Sequence, residues 1–121
     1  MREGPILRLD EAGASRRSWV PGAMKDNRPR VAKKYKISGR VQGVGFRYFA
    51  ERAARQLDLR GYVKNCWDGS VEVYAIGDLP SLDELKLQLA QGPRSAQVTS
   101  IEESDEPVSG RYREFVIEGA W

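Results

Sequence analysis

The apolar residues of this chain change period abruptly between residues 41 and 46, and few folds accommodate that change. Before it, Tyr35, Ile37, Gly39 and Val41 alternate with Lys34, Lys36, Ser38 and Arg40, the pattern of a strand with one buried face. After it, Phe46, Phe49, Ala50, Ala53, Ala54 and Leu57 recur at the spacing of a single helical stripe. The joint is GRVQGVGFR, Gly39 to Arg47, in which Gly43 and Gly45 lie between Arg40 and Arg47. A strand that passes through a glycine loop straight into a helix gathers unpaired backbone N–H groups and the positive end of the helix dipole at one point, which favours an anion. Arg47, in the first helical turn, adds a guanidinium able to grip the same oxygens in bidentate fashion.

The rest of the chain supplies the partners such a unit needs. A second strand fits Leu59 to Asn65 and a third fits Ser70 to Ile76, with Val71, Val73 and Ala75 on one face. Asp68-Gly69 between them marks a hairpin, because tight hairpin turns need positive φ and glycine supplies it. Ser81-Leu82-Asp83-Glu84 reads as a capping box, Leu82, Leu85 and Leu89 as the buried stripe, and Gly92-Pro93 as the stop of a second helix. Strands over Gln97–Glu103 and Glu114–Glu118, the last one short and following a turn-rich Pro107–Gly110 segment, complete the order. Each βαβ half crosses over right-handedly, so both helices fall on one face. The expected fold is α+β, a ferredoxin-like split βαββαβ sandwich: an antiparallel sheet, two helices on one face and a short extra C-terminal strand.

With 121 residues, 40% of them hydrophobic, the chain has material for one modest core. We place that domain at residues 33–121. Residues 1–32 mix Arg, Gly, Pro, Ser and acids without a period and are read as a disordered basic extension, with Met24 an alternative start. The extension holds seven Lys/Arg and four acids; of 20 basic and 17 acidic residues this leaves 13 of each in the domain, so the formal net charge of +3 belongs to the extension. No apolar run approaches the about 20 residues of a membrane span, and no apolar core of about 7–15 residues marks a secretory signal. A soluble, cytoplasmic, monomeric protein with no membrane partner is expected.

Absences narrow the chemistry further. The chain has one cysteine, Cys66, and no histidine, which removes an internal disulfide, the usual nitrogen ligands of transition metals and every histidine-based base or triad. No metal and no cofactor is expected. A P-loop fails because Val44 stands four residues after Gly39, and a dinucleotide loop fails because Tyr48 stands where its third glycine belongs. A cysteine phosphatase would carry arginine six residues after Cys66, where Glu72 stands, so Cys66 is read as a bystander. Residues 42–49 also match the glycine-aromatic signature of RNA-recognition motifs at both glycines and at Phe46 and Phe49. That signature lies on a third strand, however, whereas here it precedes the first helix and its aromatics fall on a buried stripe. No nucleic-acid partner is expected.

GRVQGVGFR followed about twenty residues later by GYVKNCWDGSVEV, with Gly92-Pro93 beyond, resembles the acylphosphatases across residues 33–121. The resemblance implies metal-independent hydrolysis of the carboxyl-phosphate bond of small acyl phosphates. It implies that loop N–H groups of Gln42, Gly43, Val44, Gly45 and Phe46 bind the phosphate, that Arg47 grips it, and that Asn65 positions the attacking water. The chemistry is consistent with the residues present: an acyl phosphate has a good leaving group, so orientation and charge stabilisation suffice. One departure is Leu57-Asp58-Leu59, where the family usually carries glycine in the middle; it places Asp58 at a helix C-terminus that favours the left-handed conformation. The alternative is a noncatalytic ferredoxin-like binding module that contacts RNA through its basic extension.

Overall fold

A computed structural model describes residues 29–119. The elements run β1 (Val31–Arg40), α1 (Phe46–Gln56), β2 (Arg60–Asn65), β3 (Val71–Gly77), α2 (Leu79–Gln91), β4 (Gln97–Glu106) and β5 (Phe115–Ile117). The expected extension of residues 1–32 lies outside the described residues up to residue 28. Its last two residues belong to β1, where Ala32 is buried.

The five strands form one sheet in the order β4-β1-β3-β2-β5. Pairings of β1 with β3 and β4, and of β2 with β3, are antiparallel, in registers that set Tyr35 against Val73 and Val63 against Val73. The fold is the expected ferredoxin-like α+β sandwich with one amendment: β5 runs parallel to β2, pairing Tyr62 with Val116, so the sheet is mixed. Both helices share one core with one face of the sheet. Phe46, Ala50, Ala53 and Ala54 of α1 and Leu82, Leu85 and Leu89 of α2 pack with Tyr35, Ile37, Val63, Val71, Val73 and Phe115. Burying each of the larger side chains contributes about 1.5–3 kcal/mol, and the Tyr35 hydroxyl, buried with them, donates to the Leu82 carbonyl at 3.2 Å.

Two local expectations are corrected. Gly39 does not continue the inward face of β1: the β1–β4 register shifts between Ser38 and Gly39, and Gly39 is exposed. A Cβ there would meet the Gln97 carbonyl oxygen at 2.2 Å, and φ is +126°, so only glycine permits this bulge. The capping box also does not form. Helix α2 begins at Leu79 with Asp78 as N-cap and no side-chain cap hydrogen bond, leaving Ser81 inside the first turn. Pro80 explains the shift, since its fixed φ and missing N–H suit the opening positions of a helix.

The face away from the helices carries a second cluster of Ala32, Tyr74 and Ile76 with Tyr62 and Tyr112 packed against it. The segment after β4 lies over this face: the Tyr74 hydroxyl donates to the Pro107 carbonyl at 2.6 Å and accepts the Ser109 N–H at 2.9 Å.

Candidate active site

The glycine loop spans residues 41–45, between the end of β1 and the start of α1. Gly43 and Gly45 take φ of +76° and +79°, and a Cβ at either would meet nothing within 4 Å. Backbone conformation, not crowding by the protein, therefore requires glycine there. Gly45 is the N-cap of α1 and its carbonyl accepts the Phe49 N–H at 3.1 Å. Among the described residues, the N–H groups of Gly43, Val44, Gly45, Phe46, Arg47 and Tyr48 donate to no backbone carbonyl, as expected for a helix start that lacks a side-chain cap. Open space over the loop and unspent donors beneath it are what an anion needs.

The loop is held from two sides. The Ser95 hydroxyl, in the connection from α2 to β4, donates to the Val44 carbonyl at 3.1 Å. On the other side the Gln42 amide donates to the carbonyls of Cys66 and Ser70 at 2.8 and 2.9 Å. These residues bracket the β2–β3 turn, which is closed by the Cys66 N–H to the Ser70 carbonyl at 2.9 Å and the Gly69 N–H to the Cys66 carbonyl at 3.1 Å. Gln42, expected only as a backbone donor, thus also serves through its side chain. Nothing in the sequence pattern marks that use, because the partners are carbonyl groups distant in the chain.

Asn65 is the last residue of β2, buried to 8% exposure and paired with Val71. Strand alternation sets it on the same face as Val63, the face on which the loop and α1 sit. The clamped Cys66 carbonyl is the next group along the chain, so Asn65 and the glycine loop are joined through one side-chain amide. Arg47 is half-buried in the first turn of α1, and among the described residues no carboxylate lies within ion-pair distance of it. By contrast Arg55, two turns on, meets Glu51 and Glu114 at 3.4 and 3.3 Å. Arg40 ends β1 and is exposed.

The turn that carries Asn65 is itself fixed by charge. Asp68 accepts the Ser70 hydroxyl and N–H at 2.6 and 3.0 Å and pairs with Lys36 of β1 at 2.9 Å. The two Ser70 bonds, and then Lys36, hold its carboxyl well below the usual carboxylate range. Hydrogen bonding to Asp68 raises Lys36 in turn. Cys66 hydrogen-bonds in this network through its backbone N–H and carbonyl. No group of three or more His, Cys, Asp or Glu that could hold a metal occurs among the described residues.

The family model described as Acylphosphatase matches residues 33–117, a span that holds both the glycine loop and Asn65. The chain belongs to the acylphosphatase family. It is 46% identical over 89 residues to the acylphosphatase of Koribacter versatilis, covering 74% of this chain and 81% of that protein. It is 44% identical over 87 residues to the acylphosphatase of Pasteurella multocida, covering 72% of this chain and 97% of that protein. The solved structure of an acylphosphatase from Coxiella burnetii superposes with a TM-score of 0.72 at 33% identity, covering 78% of this chain and 97% of that one. Acylphosphatase membership thus covers nearly all of the described residues.

Proposed function

We propose that the protein hydrolyses small acyl phosphates to a carboxylate and inorganic phosphate, with the phosphoryl group seated in the glycine loop. The observation that carries this reading is family membership across residues 33–117, a span that includes a loop of N–H groups that donate to no backbone carbonyl among the described residues; Arg47, with no described carboxylate in ion-pair distance, and the buried Asn65 support it. In the proposed mechanism the N–H groups of residues 42–46 and the Arg47 guanidinium hold the phosphoryl oxygens. The Asn65 amide orients a water in line with the leaving oxygen. Water attacks phosphorus, the bond from phosphorus to the bridging oxygen breaks with its electron pair going to the carboxylate, and one proton of the water remains on the phosphate while the other is shared into solvent or product. Charge spreads over the equatorial oxygens in the transition state, which is where fixed donors act most strongly.

Histidine is absent from the chain, so neither a histidine base nor a histidine nucleophile takes part. The remainder of the proposal is a monomer acting in the cytoplasm without metal, cofactor or nucleic-acid partner. Among the described residues no helix is long and apolar enough to cross a membrane. The test is benzoyl phosphate hydrolysis with and without EDTA. The rate should be unchanged by chelation, Arg47→Ala should raise KM steeply, and Asn65→Ala should lower kcat by roughly 10²-fold or more, the usual loss for one positioned group. No hydrolysis by the wild type, loss of activity in EDTA, or a normal kcat in Asn65→Ala would each refute its part of the mechanism.

A further inference from the structure

A groove of about 380 Å³ lies at the end of the sheet away from the glycine loop. Arg60 opens β2 and, through the register, lies beside Ile76 of β3, which pairs with Ala32 at the start of β1. The loop follows Arg40 at the other end of β1, eight residues and about 25 Å further along a strand. The groove is lined by Arg30, Arg55, Arg60 and Arg113 with Asp58 and Glu114, four guanidiniums against two carboxylates.

One of the four arginines is engaged by the fold. Arg55 meets Glu51 and Glu114 and donates to the Phe115 carbonyl at 2.8 Å, which fixes one wall. For Arg30, Arg60 and Arg113 no ion pair with a described carboxylate exists. Residues 1–28, which precede Arg30 in the sequence, hold six Lys/Arg and four acids. One backbone outlier sits in the same wall. Asp58 has φ of +63°, the only positive φ outside glycine among the described residues. Such strain costs about 1–3 kcal/mol, and here it accompanies the end of α1, where the Asp58 N–H donates to the Arg55 carbonyl at 3.0 Å.

We propose that this groove binds a small oligophosphate anion, of the kind carried by a nucleoside triphosphate or by inorganic polyphosphate, at a site separate from the glycine loop. Several guanidinium forks facing one concavity match a chain of phosphates. The volume lies at the low end for small-ligand sites, which favours a compact anion over a nucleic-acid strand.

Calorimetric titration of inorganic tripolyphosphate into the full-length protein tests it. Binding should persist within about threefold in Arg47→Ala, fall at least tenfold in Arg60→Gln/Arg113→Gln, and fall measurably in Arg113→Gln alone, a change on a bend outside the sheet. KM for benzoyl phosphate should remain wild-type in both distal variants. Absence of binding, or binding lost in Arg47→Ala and retained in Arg60→Gln/Arg113→Gln, overturns the proposal. So does tighter binding of a single-stranded oligonucleotide than of tripolyphosphate, which would make the groove part of a nucleic-acid surface. Separate outcomes keep this test independent of the hydrolytic reading.

Discussion

Gln42 shows how much of the site rests on a side chain that touches no reacting atom. Its amide spends both hydrogens on the Cys66 and Ser70 carbonyls, and so couples the anion loop to the strand end that carries Asn65. Replacing it with alanine removes two hydrogen bonds at about 0.5–1.5 kcal/mol each. It also frees the hairpin to shift relative to the loop. Gln42→Ala should therefore lower both the melting temperature and kcat, with phosphate inhibition less affected than in Arg47→Ala; a variant with wild-type kcat would show that Asn65 holds its place unaided. Asp58 tests the opposite kind of residue effect. It occupies a left-handed position at φ +63°, and its sequence context, Leu57-Asp58-Leu59 at a helix C-terminus, already points to that cost. The left-handed penalty of about 1–2 kcal/mol, less the about 0.4–1 kcal/mol that glycine adds to unfolded-state entropy, leaves a net gain of about 0.5–1 kcal/mol for Asp58→Gly. A rise of a few degrees in melting temperature is expected, and a fall would mean that contacts of the Asp58 carboxylate outweigh the strain. The family resemblance is what points to Arg47 and Asn65 in the sequence, whereas the clamp between the loop and the end of β2 depends on backbone carbonyls, for which sequence has no code.

At the scale of elements, sequence pattern located each helix and strand but not how each one ends. The stripe Leu82, Leu85, Leu89 is buried as its spacing requires, yet the helix starts at Leu79 because proline chemistry competes with the serine cap. Strand β3 is apolar on both faces, with Tyr74 and Ile76 buried opposite Val71, Val73 and Ala75. Only the return of the segment after β4 explains that second face, and a connection of that length has no periodicity to betray it. The β2–β3 turn offers a pH test. The folded state holds the Asp68 carboxyl below its ordinary value of 3.8, chiefly through Ser70 and also through Lys36, so the ionised form favours the folded hairpin. That contribution is complete above about pH 4 and is lost as pH falls through the depressed folded value. Asp68→Asn should melt below wild type at pH 7, and the gap should narrow steadily as pH falls below 4. A difference that stays constant between pH 4 and pH 2 would assign the effect to shape rather than charge.

Across the whole molecule, charge is sorted more sharply than the balance of 13 basic and 13 acidic residues in 33–121 suggests. Edge strand β4 gathers Glu102, Glu103, Asp105 and Glu106 toward one end, where Lys33 and Lys86 neutralise part of the charge with contacts of 2.6 to 2.9 Å. Charged side chains on an exposed edge also discourage pairing with another chain. The opposite end of β4 begins at Gln97 beside Arg40, and its first four residues, 97–100, include no acid. Arg40 and Arg47 flank the glycine loop, and Arg94 precedes the Ser95 that holds the Val44 carbonyl. No acidic residue occurs from Gly39 to Ala50. A domain of zero net charge can thus present a positive end to an anionic substrate, and the field of that end reaches about 30 Å at 0.01 M salt but about 8 Å at 0.15 M. The consequence is a split between kinetic constants. Raising salt over that range should lower kcat/KM for benzoyl phosphate at least about threefold while leaving kcat nearly constant, because encounter is screened and the clamped transition state is not. Arg40→Gln/Arg94→Gln should flatten this dependence by lowering kcat/KM at low salt alone. Equal salt dependence in wild type and in this variant would restrict the electrostatics to Arg47 and the loop itself, and would make the arginines around the rim mere solubilising charge.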